Sequence, residues 1–221
     1  MEPPLCWITN AMDRSPGEPI RVDSPSWERL NGALLNLSYG TGRIFVVPHE
    51  RVGDLMQGGV TPLPIPSMPT GVMRGRFHPE DGHLYACGMF AWASDRQQPG
   101  GFYRIRATGR PVFAVVGLHA RPGGLDLSFS DPLDPESVSD PSRFSASVWS
   151  LRRTARYGSE HVDEHPLAVT SALLDDDGRT IHLTIPELAP TQGLELRFSI
   201  AGAQGDPAQG VVHATIHHLG P

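Results

Sequence analysis

Residues 194–200 read Leu-Glu-Leu-Arg-Phe-Ser-Ile. Leu194, Leu196, Phe198 and Ile200 share one face of an extended chain, and Glu195, Arg197 and Ser199 share the other. Successive side chains of a strand point to opposite sides, so this is the pattern of a strand with one buried face. Leu125, Leu127 and Phe129 alternate in the same way with Asp126 and Ser128, and Ile181, Leu183 and Ile185 with His182 and Thr184. Short apolar runs of this kind recur at residues 112–118, 125–129, 144–151, 167–174, 180–185, 194–200 and 211–218. Turn clusters separate them: Arg121-Pro122-Gly123-Gly124, Asp175-Asp176-Asp177-Gly178 and Ala189-Pro190-Thr191-Gln192-Gly193. Glycine supplies positive φ in such turns, and aspartate bonds to its own backbone. Period two over these segments predicts an antiparallel two-sheet sandwich across residues 109–221.

The earlier residues follow another plan. LLNLSYGTGRIFVVPHE (34–50) reads as a strand, a Gly40-Thr41-Gly42 turn and a second strand. GRFHPEDGHLYACGMFAWA (75–93) repeats that plan around Pro79-Glu80-Asp81-Gly82, and GGFYRIRATG (100–109) adds a strand centred on Phe102 to Arg106. Repeated strand–turn–strand units about 40 residues apart suggest propeller blades. A closed propeller needs at least about four blades. Residues 1–108 supply about two to three at that spacing. The expected fold is therefore all-β: terminal β-propeller blades over 1–108, then an immunoglobulin- or fibronectin-like β-sandwich over 109–221. The boundary falls near Thr108-Gly109-Arg110-Pro111.

Composition bounds the function. The 24 glycines and 22 prolines make up about a fifth of the 221 residues, which suits strands and turns better than helices. The net charge of -6 argues against nucleic acid as the main partner, because phosphate binding needs a basic footprint. No apolar run reaches the roughly 18 residues of a membrane helix. No basic segment followed by an apolar one opens the chain, so no signal peptide is expected.

Candidate chemistry is sparse. Cys6 and Cys87 belong to no C-x-x-C or zinc pattern, and read as two unpaired thiols or as one disulfide. His161-Val162-Asp163-Glu164-His165 is the sharpest metal candidate. His161 and His165 would share one face of a helix. Gly158 before them and Pro166 after them favour a solvated polar loop. His182, His213 and His217 read as exposed histidines on the polar sides of strands. Arg74 and Arg76, ahead of His78, carry planar forks that suit carboxylate or quinone groups. Trp92 would supply a stacking wall, and His49 ends a strand from which it could reach a channel. The alternative is that the aromatics are core and the arginines pair with Glu80 or Asp81. No G-x-S-x-G elbow is present.

PTGVMRGRFHPEDGHLYACGMFAWA (69–93) and QQPGGFYRIRATGRPV (97–112) resemble the closing blades of large secreted bacterial proteins. Those proteins carry a propeller similar to the sorbosone and glucose dehydrogenase quinoproteins. LCWITNAMDRSPGEPIRV (5–22) and residues 34–50 resemble the preceding blade. FSDPLDPESVSDPSRFSASVW (129–149) and residues 155–200 resemble the immunoglobulin-like module that follows, ahead of a c-type cytochrome domain. The resemblance covers essentially the whole chain. It implies quinone and calcium in the propeller, haem c in the cytochrome domain, and a periplasmic or extracellular location. It also implies missing blades or another protein chain as partners, with a c-type cytochrome among them. The chain has no C-x-x-C-H with which to hold haem covalently, so no cofactor is expected on it. The function these readings imply is a non-catalytic accessory piece of a cytochrome-linked oxidoreductase system acting on sugars or alcohols. The alternatives are a stand-alone binding module for carbohydrate or metal, and a dehydrogenase subunit that needs the missing blades.

Overall fold

A computed structural model of the protein describes residues 3–91, 96–155 and 158–221. Half of the chain is strand and about a twentieth is helix, the sheets are antiparallel, and none closes into a barrel. The early strands are β1 (Pro16–Arg21), β2 (Leu34–Ser38), β3 (Ile44–Val46), β4 (His49–Val52), β5 (Leu55–Pro62), β6 (Gly71–Phe77), β7 (Leu84–Met89) and β8 (Gly100–Ile105). The later ones are β9 (Val115–Arg121), β10 (Gly124–Phe129), β11 (Phe144–Arg152), β12 (Glu160–Leu167), β13 (Ser171–Leu174), β14 (Thr180–Thr184), β15 (Thr191–Ala201) and β16 (Pro207–Ile216). One short helix, α1 (Pro135–Val138), precedes β11 and is capped by the Asp134 side chain on the amides of Glu136 and Ser137.

Two compact units form. One holds the chain up to Thr9, Pro48–Thr61 and Phe113–Pro221; the other holds Asn10–Val47 and Pro62–Val112. The division expected from sequence is a single cut between residues 108 and 109. The contacts cut at Val112 and also carry the segment 48–61 into the later unit.

In that later unit one sheet runs β4–β5–β16–β15–β11–β12 and a second runs β13–β14–β10–β9. Their inward positions build one core. Leu125, Leu127, Ile181 and Leu183 from one sheet and Leu194, Leu196 and Phe198 from the other are all buried in it. Phe129 and Phe198 meet edge to face at 5.2 Å. The alternating apolar positions of β10, β14 and β15 are thus the buried ones, as their period of two predicts.

Two stretches depart from the sequence reading. Residues 160–167 form strand β12, not a polar loop, because β11 offers them an edge from Ala146 to Arg152. β12 is an outer strand, where Pro166 costs no ladder bond. The register slips between Val148 and Ser150, and Asp163 takes a positive φ of 56° within the extra residues. The expected run 167–174 is two strands, β12 ending at Leu167 and β13 starting at Ser171.

The other unit contains two antiparallel meanders, β1–β2–β3 and β6–β7–β8. Gly42 and Gly82 adopt positive φ in the two turns that the sequence marks. Trp27 meets Phe77 edge to face at 5.3 Å, and Leu35, Leu37, Val72 and Leu84 are buried. The apolar run at Leu35 and Leu37 is therefore core and not an open surface.

Leu196→Ala removes a side chain from the middle of the facing-sheet core. It is expected to cost about 2–5 kcal/mol, read as a lower urea midpoint at unchanged denaturant slope.

Candidate functional site

The β6–β7–β8 meander turns one face inward and leaves the other open. Leu84 and Ala86 alternate inward on β7, so Tyr85, Cys87 and Met89 point out. The register then fixes their neighbours. Arg76 and Arg104 lie directly opposite Tyr85 on its two sides, and Arg74 and Phe102 lie opposite Cys87. Directly opposed residues of an antiparallel pair share a face. The result is two cross-strand rows, Arg76–Tyr85–Arg104 and Arg74–Cys87–Phe102.

Phe102 is 73% exposed, more than any other large apolar side chain described. Its ring stacks on Tyr85 at 5.7 Å and 25°, forming a continuous aromatic surface. Tyr85 is held from behind. Its hydroxyl donates to Asp81 Oδ2 at 2.8 Å, and the His78 ring meets its edge at 5.9 Å. The His83 amide, followed by the Tyr85 hydroxyl, holds the Asp81 carboxyl below the usual range. Asp81 is thus the ionised acceptor that orients the ring. Arg76 pairs with Glu18 at 2.9 Å, not with Glu80 or Asp81. Arg74 donates to the Met73 carbonyl at 2.8 Å, and Arg104 pairs with no carboxylate among the described residues.

Of the sequence-selected residues, Arg74, Arg76 and His78 therefore gather at one face. His49 lies on β4, in the other unit. Trp92 lies outside the described residues. The selection missed Tyr85, Phe102 and Arg104. Their signal was present as period-two alternation in Tyr85/Cys87/Met89 and Phe102/Arg104.

In the same unit a cavity of about 320 Å³ opens beside Trp27, Leu63 and Ile105, with Arg29, Arg106 and Arg110 around it. Arg29 donates to the Gly109 carbonyl at 3.1 Å and so ties the 106–110 loop to the cavity wall.

His161 and His165 stand on β12 and are engaged separately. The His161 ring stacks on Trp149 at 4.2 Å and meets Glu164 through Nδ1 at 3.2 Å, while His165 Nδ1 donates to the Asp163 carbonyl. Among the described residues no three His, Cys, Asp or Glu side chains are grouped to hold a metal ion. Both cysteines are free thiols. Burial pushes the Cys6 thiol up to about 12, whereas Cys87 is exposed on β7. Neither has the histidine spacing that a c-type haem requires.

His213 is 4% exposed, not a surface histidine. The reason is that its ring packs edge to face on the buried Trp149 at 5.4 Å, and the start of the chain runs along β16 beside it. The Trp7 amide donates to Thr215 Oγ1 at 2.8 Å, and the Cys6 thiol points at the His213 carbonyl. His213 Nε2 lies 2.8 Å from Glu195 Oε2. Burial pushes the imidazole below its usual range, against the pull of Glu195, and Arg197 and His161 push the same way. Partial burial raises Glu195, but hydrogen bonds from Arg197 and His213 outweigh it and hold the carboxyl low. The pair is thus a neutral imidazole donating to a carboxylate. His182, by contrast, keeps its half-exposed place between Asp126 and Asp175, and His217 Nε2 donates to the Pro4 carbonyl.

No family model, no curated protein and no solved structure matches this chain.

A lowered histidine pKa in the fold gives stability that is present above the unfolded value of about 6.5 and is lost as pH falls below it. His213→Gln keeps an N–H toward Glu195 but does not titrate. Between pH 7.5 and 5.5 the unfolding free energy of the wild type should therefore fall relative to His213→Gln, measured by urea titration at each pH. Parallel curves would contradict the neutral assignment.

Proposed function

We propose that the chain is a non-catalytic accessory module that holds a sugar-based ligand on the open face of β6, β7 and β8. The observation that carries this reading is the exposed Tyr85–Phe102 surface, braced by Asp81 and flanked by arginines. A pyranose ring presents C–H bonds that pack on the negative face of an aromatic ring, and its hydroxyls accept from guanidinium groups. Rings held in place beforehand lose little freedom on binding.

The wider setting follows the family resemblance. On this reading the two three-stranded meanders are blade-like and the facing sheets are an immunoglobulin-like spacer. The module then serves a propeller-type, cytochrome-linked oxidoreductase system acting on sugars or alcohols, in the periplasm or outside the cell. On this reading quinone, calcium and haem c belong to other parts of that system. The partners are the remaining blades or another chain, with a c-type cytochrome among them.

Affinity electrophoresis of the purified chain through gels carrying neutral or acidic polysaccharides tests the reading. Retardation is expected in at least one, and Phe102→Ala should weaken it about tenfold, equal to about 1.4 kcal/mol. Free migration in every gel, or retardation that Phe102→Ala leaves intact, would overturn it.

A further inference from the structure

We infer that the ligand of this face is an acidic glycan, a chain whose sugar rings carry carboxylates, and that Arg74 and Arg104 select it. This rests on the reading that the face binds carbohydrate. The charge distribution decides the class. Arg76 is already matched by Glu18 at 2.9 Å. Arg74 donates to the neighbouring Met73 carbonyl and shares the field of the same Glu18 carboxylate, and Arg104 has no carboxylate partner among the described residues. The face therefore carries uncompensated positive charge within a chain whose net charge is -6. An exposed guanidinium presents a planar fork that a carboxylate fills with two parallel hydrogen bonds.

The spacing fits the same class. Arg104 stands across from Tyr85, about 4.8 Å away in the sheet, and two residues along β8 from Phe102, about 6.8 Å. A sugar ring stacked on either aromatic thus places a ring carboxylate within reach of Arg104. Arg74 sits on the opposite side of Cys87 from Phe102, about two strand spacings or 9.6 Å away.

A polynucleotide fits less well. Its affinity comes from many phosphate contacts, commonly about 6–10, and this face offers three arginines, two of them beside Glu18.

Cys87 provides the readout, since it lies in the centre of the face and is exposed, whereas Cys6 is half-buried and its thiol, pushed up to about 12, stays protonated at the pH of the assay. The full chain is alkylated with N-ethylmaleimide at pH 7.5 alone, then with polygalacturonate, its fully methyl-esterified neutral form, or poly(dT). Polygalacturonate is expected to slow Cys87 modification several-fold, and added salt should remove the protection. Arg104→Gln should weaken that protection about tenfold, with the urea midpoint unaltered. Equal protection by the neutral ester would overturn the acidic selectivity while leaving a carbohydrate-binding face. Stronger protection by poly(dT) would overturn it in favour of single-stranded nucleic acid. No protection by polygalacturonate would also overturn it, and if no polysaccharide gel retards the chain, the binding reading falls with it.

Discussion

The side chain of Gln57 is fully buried, and a buried amide must find partners for both its oxygen and its nitrogen. Gln57 finds all four. Its Oε1 accepts from the amides of His217 and His218 at 2.7 and 2.9 Å, and its Nε2 donates to the His218 carbonyl and to Glu50 Oε1 at 2.8 and 2.7 Å. An amide has two acceptor and two donor positions, so none is left over. Leaving one unmade in the interior would cost about 1–3 kcal/mol. The β4–β5 hairpin is thereby fastened to the end of β16. Glu50, fixed by the same amide, extends the network to the Ala120 amide and to His119, whose imidazole its hydrogen bond holds above the usual range. That residues 48–61 belong with a unit built otherwise from 113–221 is a consequence of this satisfied interior, and not of local sequence preference.

This explains what the sequence showed of the fold and what it hid. Runs with one wet face were legible, because burial on a single side writes itself as alternation; Leu194 to Ile200 is the plainest case. β12 was hidden because Glu160-His161-Val162-Asp163-Glu164-His165-Pro166 has almost nothing to bury. It is a strand only because β11 has an edge to pair, and pairing energy of that kind is not recorded in the side-chain pattern. β5 was hidden for the opposite reason. Its buried residues include Gln57, Gly58, Gly59 and Thr61, polar or side-chain-free groups whose burial depends on partners distant in sequence.

The candidate site divides in the same way. Arg74, Arg76 and His78 were legible as chemistry-bearing side chains near a turn. Tyr85 and Phe102 were passed over because an aromatic in a strand is ordinarily core. Their exposure follows from register, which places them on the side of the sheet that Leu84 and Ala86 do not occupy. His213 failed in the reverse direction. Alternation put it outward, correctly, but there its ring packs on the buried Trp149, and the start of the chain runs along β16 beside it. Alternation reports which side a residue faces and says nothing about what else covers that side.

The open face also shows how an acidic chain can present a site for an acidic ligand. At physiological ionic strength a charge is screened beyond about 8 Å, so most of the chain's carboxylates do not act on a ligand seated at Arg104. What acts is local: the guanidinium groups within one or two strand spacings, and the carboxylates of Glu18 and Asp81. Both of those are already engaged, Glu18 by Arg76 and the Gly75 amide, Asp81 by the His83 amide and the Tyr85 hydroxyl. Glu18 and Asp81 are thus each occupied in orienting a member of the face. Glu18 is shared by Arg76 and Arg74, and the positive charge in excess, with Arg104 without a carboxylate partner among the described residues, is what an incoming carboxylate meets.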